Sequence, residues 1–461
     1  MRMKPNLFDI VGETSRGEYP FHMPGHKRNA AFLPADLLAC DTTELPRTDN
    51  LHCPKDSILR LQENAAQIYG ADESYFLVNG SSCGIIAAIC SVCSDGDKIL
   101  VARNSHSCVY KGLALSGASP VYISPEYFTD GTAGGVSINE IDDSFKAVVI
   151  TSPTYEGYVS DVASITRAAR SSGALLIVDE AHGAHFPFHG YFPVQASRLG
   201  ADVVVNSLHK TLPALSQAAL LHVNGGLADR ERLRYYLNAL QTTSPSYMIM
   251  ASTDYSLRNL QARPELFDEY AARLTKVRAG LPRPPDEKAI RLSPERNGEC
   301  AVFATDPGKL FFEVNTDVDG LEIAERLASR FRLRMEAASE KHFLAMTSVT
   351  DTDGGFGRLL EAVSVLNAEL PFILNERKYF RAPPPEVVFT PREALRYKTE
   401  TVDCKKAEGR VAGEILMKYP PGIPLAAPGE RLTREILSAV MNGGLIKNDT
   451  VKILKSDGGF L

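Results

Sequence analysis

The sequence predicts an α/β protein: a large domain on a mainly parallel seven-stranded sheet, followed by smaller α+β domains. Two observations carry this. From about residue 60 to 225, short apolar runs alternate with helical stretches, the pattern of a parallel sheet covered on both faces. From about residue 285 strands and helices mix in a less regular order, as expected of a separate, smaller unit. A chain of 461 residues is long enough for two or three such units.

Residues 1–55 are rich in Pro, His, Thr and Asp and poorly periodic, and read as an arm with short helices. The large domain, 56–284, opens with a helix over 57–70, the strand SYFLV and a helix over 82–93. Strands follow at KILVAR (98–103), PVYIS (120–124), KAVVIT (146–151), ALLIVDE (174–180), ADVVVNS (201–207) and QAALLHV (217–223). A helix falls over 161–172, and 227–283 reads as helices, since RLRYYLNALQ and PELFDEYAARLTKVRAGL space their apolar residues at helical intervals. In a small α+β domain, 285–378, the strands CAVFA (300–304), KLFFEV (309–314) and HFLAMTSV (342–349) mix with helices 319–331 and 356–369. A proline-rich segment, FRAPPPEVVFTP (380–391), belongs to a last subdomain, 379–461, with a helix from about 433.

Composition narrows the function. Hydrophobic residues make up 44% and charged residues 23%, an ordinary globular balance. A net charge of −6 argues against nucleic acid or an anionic membrane as the main partner. No apolar run approaches a membrane span, and MRMKPNLFDIVGE lacks the apolar core of a secretory signal. The eight cysteines show no disulfide framework. Cys90 and Cys93 form a CxxC inside the apolar helical run GIIAAICSVC, with nothing nearby to complete a zinc site, so they read as core and no metal is expected. Free thiols fit a reducing cytoplasm.

Chemistry concentrates where strands end, the place at which open α/β sheets bind ligands. In VNGSSCG, a strand stops at Val78, Gly80 permits a tight turn, and Ser81 and Ser82 open an apolar helix. The free N–H groups and dipole of a helix start suit a phosphate, although a serine N-cap alone would look the same. In LLIVDEAHG, Asp179, Glu180 and His182 follow a buried strand; a helix cap or loop salt bridge is the bland alternative. In VVVNSLHKTL, Ser207, His209 and Lys210 end another such strand. Strand, acid, helix, strand, lysine is the order of a pyridoxal-phosphate enzyme: the lysine holds the cofactor as a Schiff base and the acid pairs with its ring nitrogen. That carboxylate favours the protonated ring, which draws electrons from the substrate α-carbon. Ser207 and His209 can donate to the phosphate. In RNSHSCVYKG, His106 can lie flat over the ring, or be a surface residue.

These clusters, with FHMPGHKRN (21–29), DTTELPRTDNLHCP (41–54), TSPTYEGYVSD (151–161), SLHKTLPALSQAALLHV (207–223), QTTSPSYMIMAS (241–252) and YPPGIPLAAPGE (419–430), run along most of the chain. In that order they resemble the pyridoxal-phosphate-dependent ornithine/lysine/arginine decarboxylases of the aspartate-aminotransferase fold, in the short form typical of Gram-positive bacteria. The resemblance implies that Lys210 carries the cofactor, Asp179 pairs with the ring nitrogen and His106 stacks on the ring. It implies that Ser82, Ser207 and His209 bind phosphate, with Cys83 offering its backbone N–H. Ala181 and His182 would line the ring edge, and Thr242 and Thr243 would reach the phosphate of a neighbouring subunit in a homodimer or a higher oligomer. Glu430 would meet the distal cation of a basic substrate, unless it is a surface glutamate after a Pro-Gly turn.

Arg47 stands where relatives commonly carry glycine and is expected to bear on the entrance or the distal pocket. Glu156 stands where larger members often carry an aromatic residue. The implied reaction is decarboxylation of a basic amino acid, arginine first, then lysine or ornithine, through a quinonoid intermediate, with Lys210, His182 or a nearby donor protonating the α-carbon. Two rivals stay open: an aminotransferase, aldolase or lyase of the same fold, and a non-catalytic regulatory homologue.

Overall fold

The computed structural model describes residues 5–14, 23, 24, 27, 28, 30, 31, 38, 40–138, 141–374, 384–418, 422–442 and 449–455. Most of FHMPGHKRN and the first three residues of YPPGIPLAAPGE lie outside these described residues. Strands are numbered along the chain: β1 Glu73–Leu77, β2 Lys98–Ala102, β3 Ser119–Ile123, β4 Phe145–Thr151, β5 Tyr158–Val159, β6 Leu175–Asp179, β7 Val203–Ser207 and β8 Ala219–Val223. Seven of them form one sheet in the order β1-β8-β7-β6-β4-β2-β3. Neighbours from β3 to β7 run parallel, and β8 runs antiparallel to both β7 and β1. The mainly parallel seven-stranded sheet expected from sequence is therefore present.

Residues of β6, β7 and β8 are buried without exception, because helices cover both faces of the sheet. On one face helices Gly80–Val92, Ser107–Ser116 and Arg230–Leu240 pack against Ile99, Val149, Ile177 and Val205. On the other, Val162–Ser171 packs against Val148, Leu176 and Val204. That last helix starts where Asp161 accepts from the Ser164 N–H at 3.0 Å, a cap worth about 1 kcal/mol. Helices Tyr247–Ala262 and Glu265–Gly280 continue the layer, and Leu7, Ile10 and Val11 of the first helix, Leu7–Thr14, join the same core. Cys90 and Cys93 are buried within helix Gly80–Val92 and at its end, as the apolar run implied.

The small domain carries β9 Ile290–Leu292, β10 Ala304–Thr305, β11 Lys309–Val314, β12 Ala337–Ala338 and β13 His342–Met346. Four of these form an antiparallel sheet, β12-β13-β11-β9, covered by helices Gly320–Phe331 and Asp353–Glu369. The expected strand CAVFA is corrected. Cys300 and Ala301 have φ values of 43° and 54°, a left-handed turn that no strand tolerates. Only β10 is extended there, and it pairs with β5 of the large domain. The C-terminal part adds β14 Thr399–Asp403, β15 Leu416–Lys418, β16 Ile423–Ala426 and β17 Thr450–Leu454 as two ribbons over a small core of their own. No described helix is long and apolar enough to cross a membrane.

Candidate active site

Thr151, Asp179 and Ser207 are the last residues of β4, β6 and β7, three adjacent parallel strands. All three line one cavity of about 430 Å³. The strand alternation and the shared direction bring these side chains to one edge of the sheet. Around them stand Gly80, Ser81 and Ser82 from the start of a helix, His106 beyond β2, Ala181 and His182 beyond β6, and His209 and Lys210 beyond β7.

The helix start forms one wall. Gly80 has φ 76°, which a side chain would strain, and this turn brings the helix onto the end of β1. Ser207 donates its hydroxyl to Ser81 Oγ at 2.6 Å, which ties the two serine-bearing segments together. Gly80, Ser81 and Ser82 at the helix start line the cavity, and Cys83 does not. Its thiol faces Leu240 O at 3.7 Å, and burial pushes it up to about 12, so it is inert at neutral pH.

Asp179 is 4% exposed and accepts from the Ala181 N–H at 3.2 Å. His106 caps helix Ser107–Ser116, its Nδ1 accepting from the Cys108 N–H at 3.3 Å. Burial lowers its pKa against the opposing pull of Asp179, which keeps the ring neutral. His209 points its Nδ1 to Ala218 O at 3.0 Å, and burial lowers it too. Lys210 sits in the one-turn helix Leu208–Thr211, with Nζ 3.1 Å from His182 Nε2. His182 is held well below its usual range by burial and then by Lys309 and Lys210 beside it. Glu180 turns away: its carboxylate accepts from the Ala196 N–H at 2.7 Å and from Asn206 Nδ2 at 3.0 Å, bracing the loop behind the site.

Two expectations, on Glu430 and Arg47, are corrected. Glu430 is 1% exposed and faces Arg103, which binds it through two nitrogens at 2.8 Å each. It also accepts from the Ala427 N–H at 2.7 Å, so its oxygens are taken and it does not line the cavity. Thr242 and Thr243, expected to reach a neighbouring subunit, are exposed and lie outside the cavity wall of this chain. Arg47 pairs with Glu13 at 2.7 Å on the surface and does not line the cavity either.

Other wall residues were not read from the sequence. Tyr155 packs its ring edge-on against His182 at 5.2 Å and donates its hydroxyl to Glu336 at 2.8 Å. Glu336 comes from the small domain and Ile423 from the C-terminal part. Glu156, flagged only as a departure from the larger relatives, also lines the cavity, and burial raises its carboxyl. Gln217 lines it with φ 76°, a strained backbone of the sort that gathers at functional sites. Lys309 lies just behind His182. The TSPTYEGY motif was a signal for Tyr155; a lysine opening an apolar strand gave none for Lys309.

The residues fit pyridoxal phosphate. Free N–H groups and serine hydroxyls gather at a helix start, and a buried carboxylate and an amine share the same cavity. Thr151 Oγ1 and Asn104 Oδ1 in its wall are buried with no hydrogen-bond partner, as expected of polar atoms awaiting a ligand.

Fold and site together define a pyridoxal-phosphate-dependent enzyme of the aspartate-aminotransferase fold. Among solved structures, the constitutive lysine decarboxylase of Escherichia coli matches with a TM-score of 0.81 at 20% identity, covering 97% of this chain and 81% of that one. The ureidoglycine-glyoxylate aminotransferase of Bacillus subtilis matches the fold more loosely, with a TM-score of 0.51 at 15% identity over 70% of this chain and 87% of that one.

The chain belongs to the Orn/Lys/Arg decarboxylase family: the family's major domain matches residues 5–316 and its C-terminal domain residues 374–441. It is 32% identical to an arginine decarboxylase of Bacillus subtilis, over 95% of this chain and 92% of the relative. It is 25% identical to the lysine decarboxylase LdcA of Pseudomonas aeruginosa, over 94% of this chain and 74% of the relative. The protein is a pyridoxal-phosphate-dependent amino-acid decarboxylase of the class acting on basic amino acids.

Proposed function

We propose that the protein decarboxylates arginine, with lysine and ornithine as the next choices, and that Lys210 holds the cofactor. The carrying observation is one cavity that joins Lys210 and Asp179 to two further carboxylates, Glu156 and Glu336. Two acids suit a cationic head group, and a guanidinium offers them a fork of donors. They take the role expected of Glu430. Relatives at 30–32% identity that are arginine decarboxylases of Bacillus species support arginine.

The chemistry supplied by bound pyridoxal phosphate is an electron sink for the pair left on the substrate α-carbon when CO2 departs. Asp179 holds a proton on the ring nitrogen by its negative charge. Gly80, Ser81, Ser82, Ser207 and His209 bind the phosphate, and His106 lies against the ring as a neutral imidazole. Ala181 lines the ring edge. One proton must reach the α-carbon for each CO2 released. His182 Nε2 and Lys210 Nζ, 3.1 Å apart in the cavity wall, are the donors. Thr242 and Thr243 serve the phosphate site of a second copy in a homodimer, which would explain their exposure in a single chain.

The test is to incubate the holoenzyme with arginine, lysine and ornithine separately and assay CO2 and the amine. Agmatine is the expected product. Amine from lysine or ornithine alone would overturn the substrate choice. Keto-acid formation without CO2 would favour an aminotransferase.

A further inference from the structure

His182 stands between two lysines. Lys210 Nζ lies 3.1 Å from its Nε2, and Lys309 Nζ lies 3.0 Å from its Nδ1. Lys309 opens β11 of the small domain, far from Lys210 in sequence, and is 3% exposed. Such burial of a lysine is costly and calls for a partner.

The hydrogen-bond inventory constrains this row of three groups. A neutral imidazole has one N–H and one bare nitrogen, and an ammonium only donates. If both bonds hold, Lys309 and Lys210 cannot both be ammonium ions. A protonated Lys309 donates to Nδ1, so the His182 proton sits on Nε2, toward the cavity. A neutral Lys309 accepts from Nδ1–H, and Nε2 is then bare.

We propose that Lys309 is a positioning residue for the decarboxylation: by donating to Nδ1 it fixes the His182 proton on Nε2, where it faces the reacting α-carbon. This rests on reading the cavity as the decarboxylation site. Proton balance is simple. His182 gives its Nε2 proton to the α-carbon as Lys309 passes one to Nδ1; before the next turnover Nε2 takes a proton from solvent through the cavity and Nδ1 returns its proton to Lys309, which restores the starting state.

The surroundings are built for this. Gly157, at φ 101°, lets the Lys309 stem pass close: a β-carbon there would lie 2.7 Å from Lys309 Cγ. Asp306 lies beside it, its carboxylate accepting from His185 Nε2 at 3.2 Å and from the Gly308 N–H at 2.8 Å. Burial raises that carboxyl, but His185 and Lys309 more than offset it, so it stays charged. Glu336 and Glu156 lie on the cavity side, and Lys210, His106 and His209 complete the groups facing His182. Burial brings Lys309 down to about 8, against the pull of Asp306. Its charge is therefore present at neutral pH and lost in mild alkali.

The experiment labels the full-length holoenzyme with 15N-histidine and follows the His182 nitrogens from pH 6 to 10, assigned with His182→Gln. The expected result is a protonated Nε2 at neutral pH that changes tautomer near pH 8. In Lys309→Met, which keeps the stem, the change should disappear. The kcat of that variant should fall on the order of 10- to 100-fold, the range for loss of one charge-assisted hydrogen bond, and its alkaline limb should vanish while KM moves little. Lys309→Arg, which always donates, should restore the Nε2 tautomer. A His182 tautomer and pH profile unchanged in Lys309→Met would overturn the proposal. That readout needs no turnover, so it fails separately from the choice of substrate.

Discussion

The floor of the cavity and its rim come from different parts of the chain. Thr151, Asp179 and Ser207 end three neighbouring strands, and Lys210 follows within one turn. Their positions are fixed by a sheet whose central strands are fully buried. Rim residues arrive from elsewhere: Glu336 from the small domain, Ile423 from the C-terminal ribbon, and Lys309 from β11 behind His182. The floor sets what chemistry is possible. In the proposed reading the rim selects the substrate and handles the proton, so these steps depend on how the smaller units dock.

One contact shows how that docking is held. Gly422 O accepts from the Ser107 N–H, beside His106, at 3.1 Å. Nearby, Arg103 beyond β2 grips Glu430, with its guanidinium 4.9 Å from the Tyr122 ring centre. The C-terminal ribbon is thereby fastened to the strand end that carries His106.

Breaking the floor should have the largest effect. Lys210→Ala is expected to lose turnover by several orders of magnitude, read as CO2 release, with its melting temperature little changed. Breaking the rim's anchor should cost stability first. Glu430→Ala leaves Arg103 charged and buried, which costs about 3–5 kcal/mol; urea unfolding measures it, and an unchanged midpoint would show the ribbon is held by other contacts.

A third test probes the brace behind the floor. Glu180 is raised from 4.5 to about 8 by burial, despite donors from Ala196 and Asn206. An acid whose folded pKa is raised stabilises the fold while protonated, so its contribution is full below pH 4.5 and is lost as pH rises through about 8. Glu180→Gln should flatten that decline between pH 5 and 9 in thermal melts; an identical decline would remove Glu180 as its source. The smallest effect is expected at the exposed rim. Glu336→Gln should raise KM for the basic substrate about tenfold, one charge-assisted contact, with kcat nearly unchanged.

The same division explains what could be read from the sequence. Floor residues sit within a few positions of apolar strands, so periodicity places them, and Lys210, Asp179, Ser207 and Ser82 fall together as expected. In the large domain most element ends shifted by only a residue or two, as with Gly80–Val92 against the expected 82–93; in the small domain the shift reached three, with His342–Met346 against 342–349 and Asp353–Glu369 against 356–369. Rim residues are fixed by packing between units, and no local pattern records that. Glu430 misled for this reason: a glutamate after Pro-Gly is legible, but its partner Arg103 lies 327 residues away. CAVFA failed differently. Its residues favour a strand, but the left-handed turn at Cys300 and Ala301 overrides propensity.

Two lysines flank His182, and only Lys210 is proposed to carry the cofactor. Borohydride reduction of the holoenzyme locks the cofactor onto the lysine that carries it, and peptide mass spectrometry then reads the site. The expected result is a phosphopyridoxyl group on Lys210 and none on Lys309. A label on Lys309, or on any lysine outside VVVNSLHKTL, would contradict it.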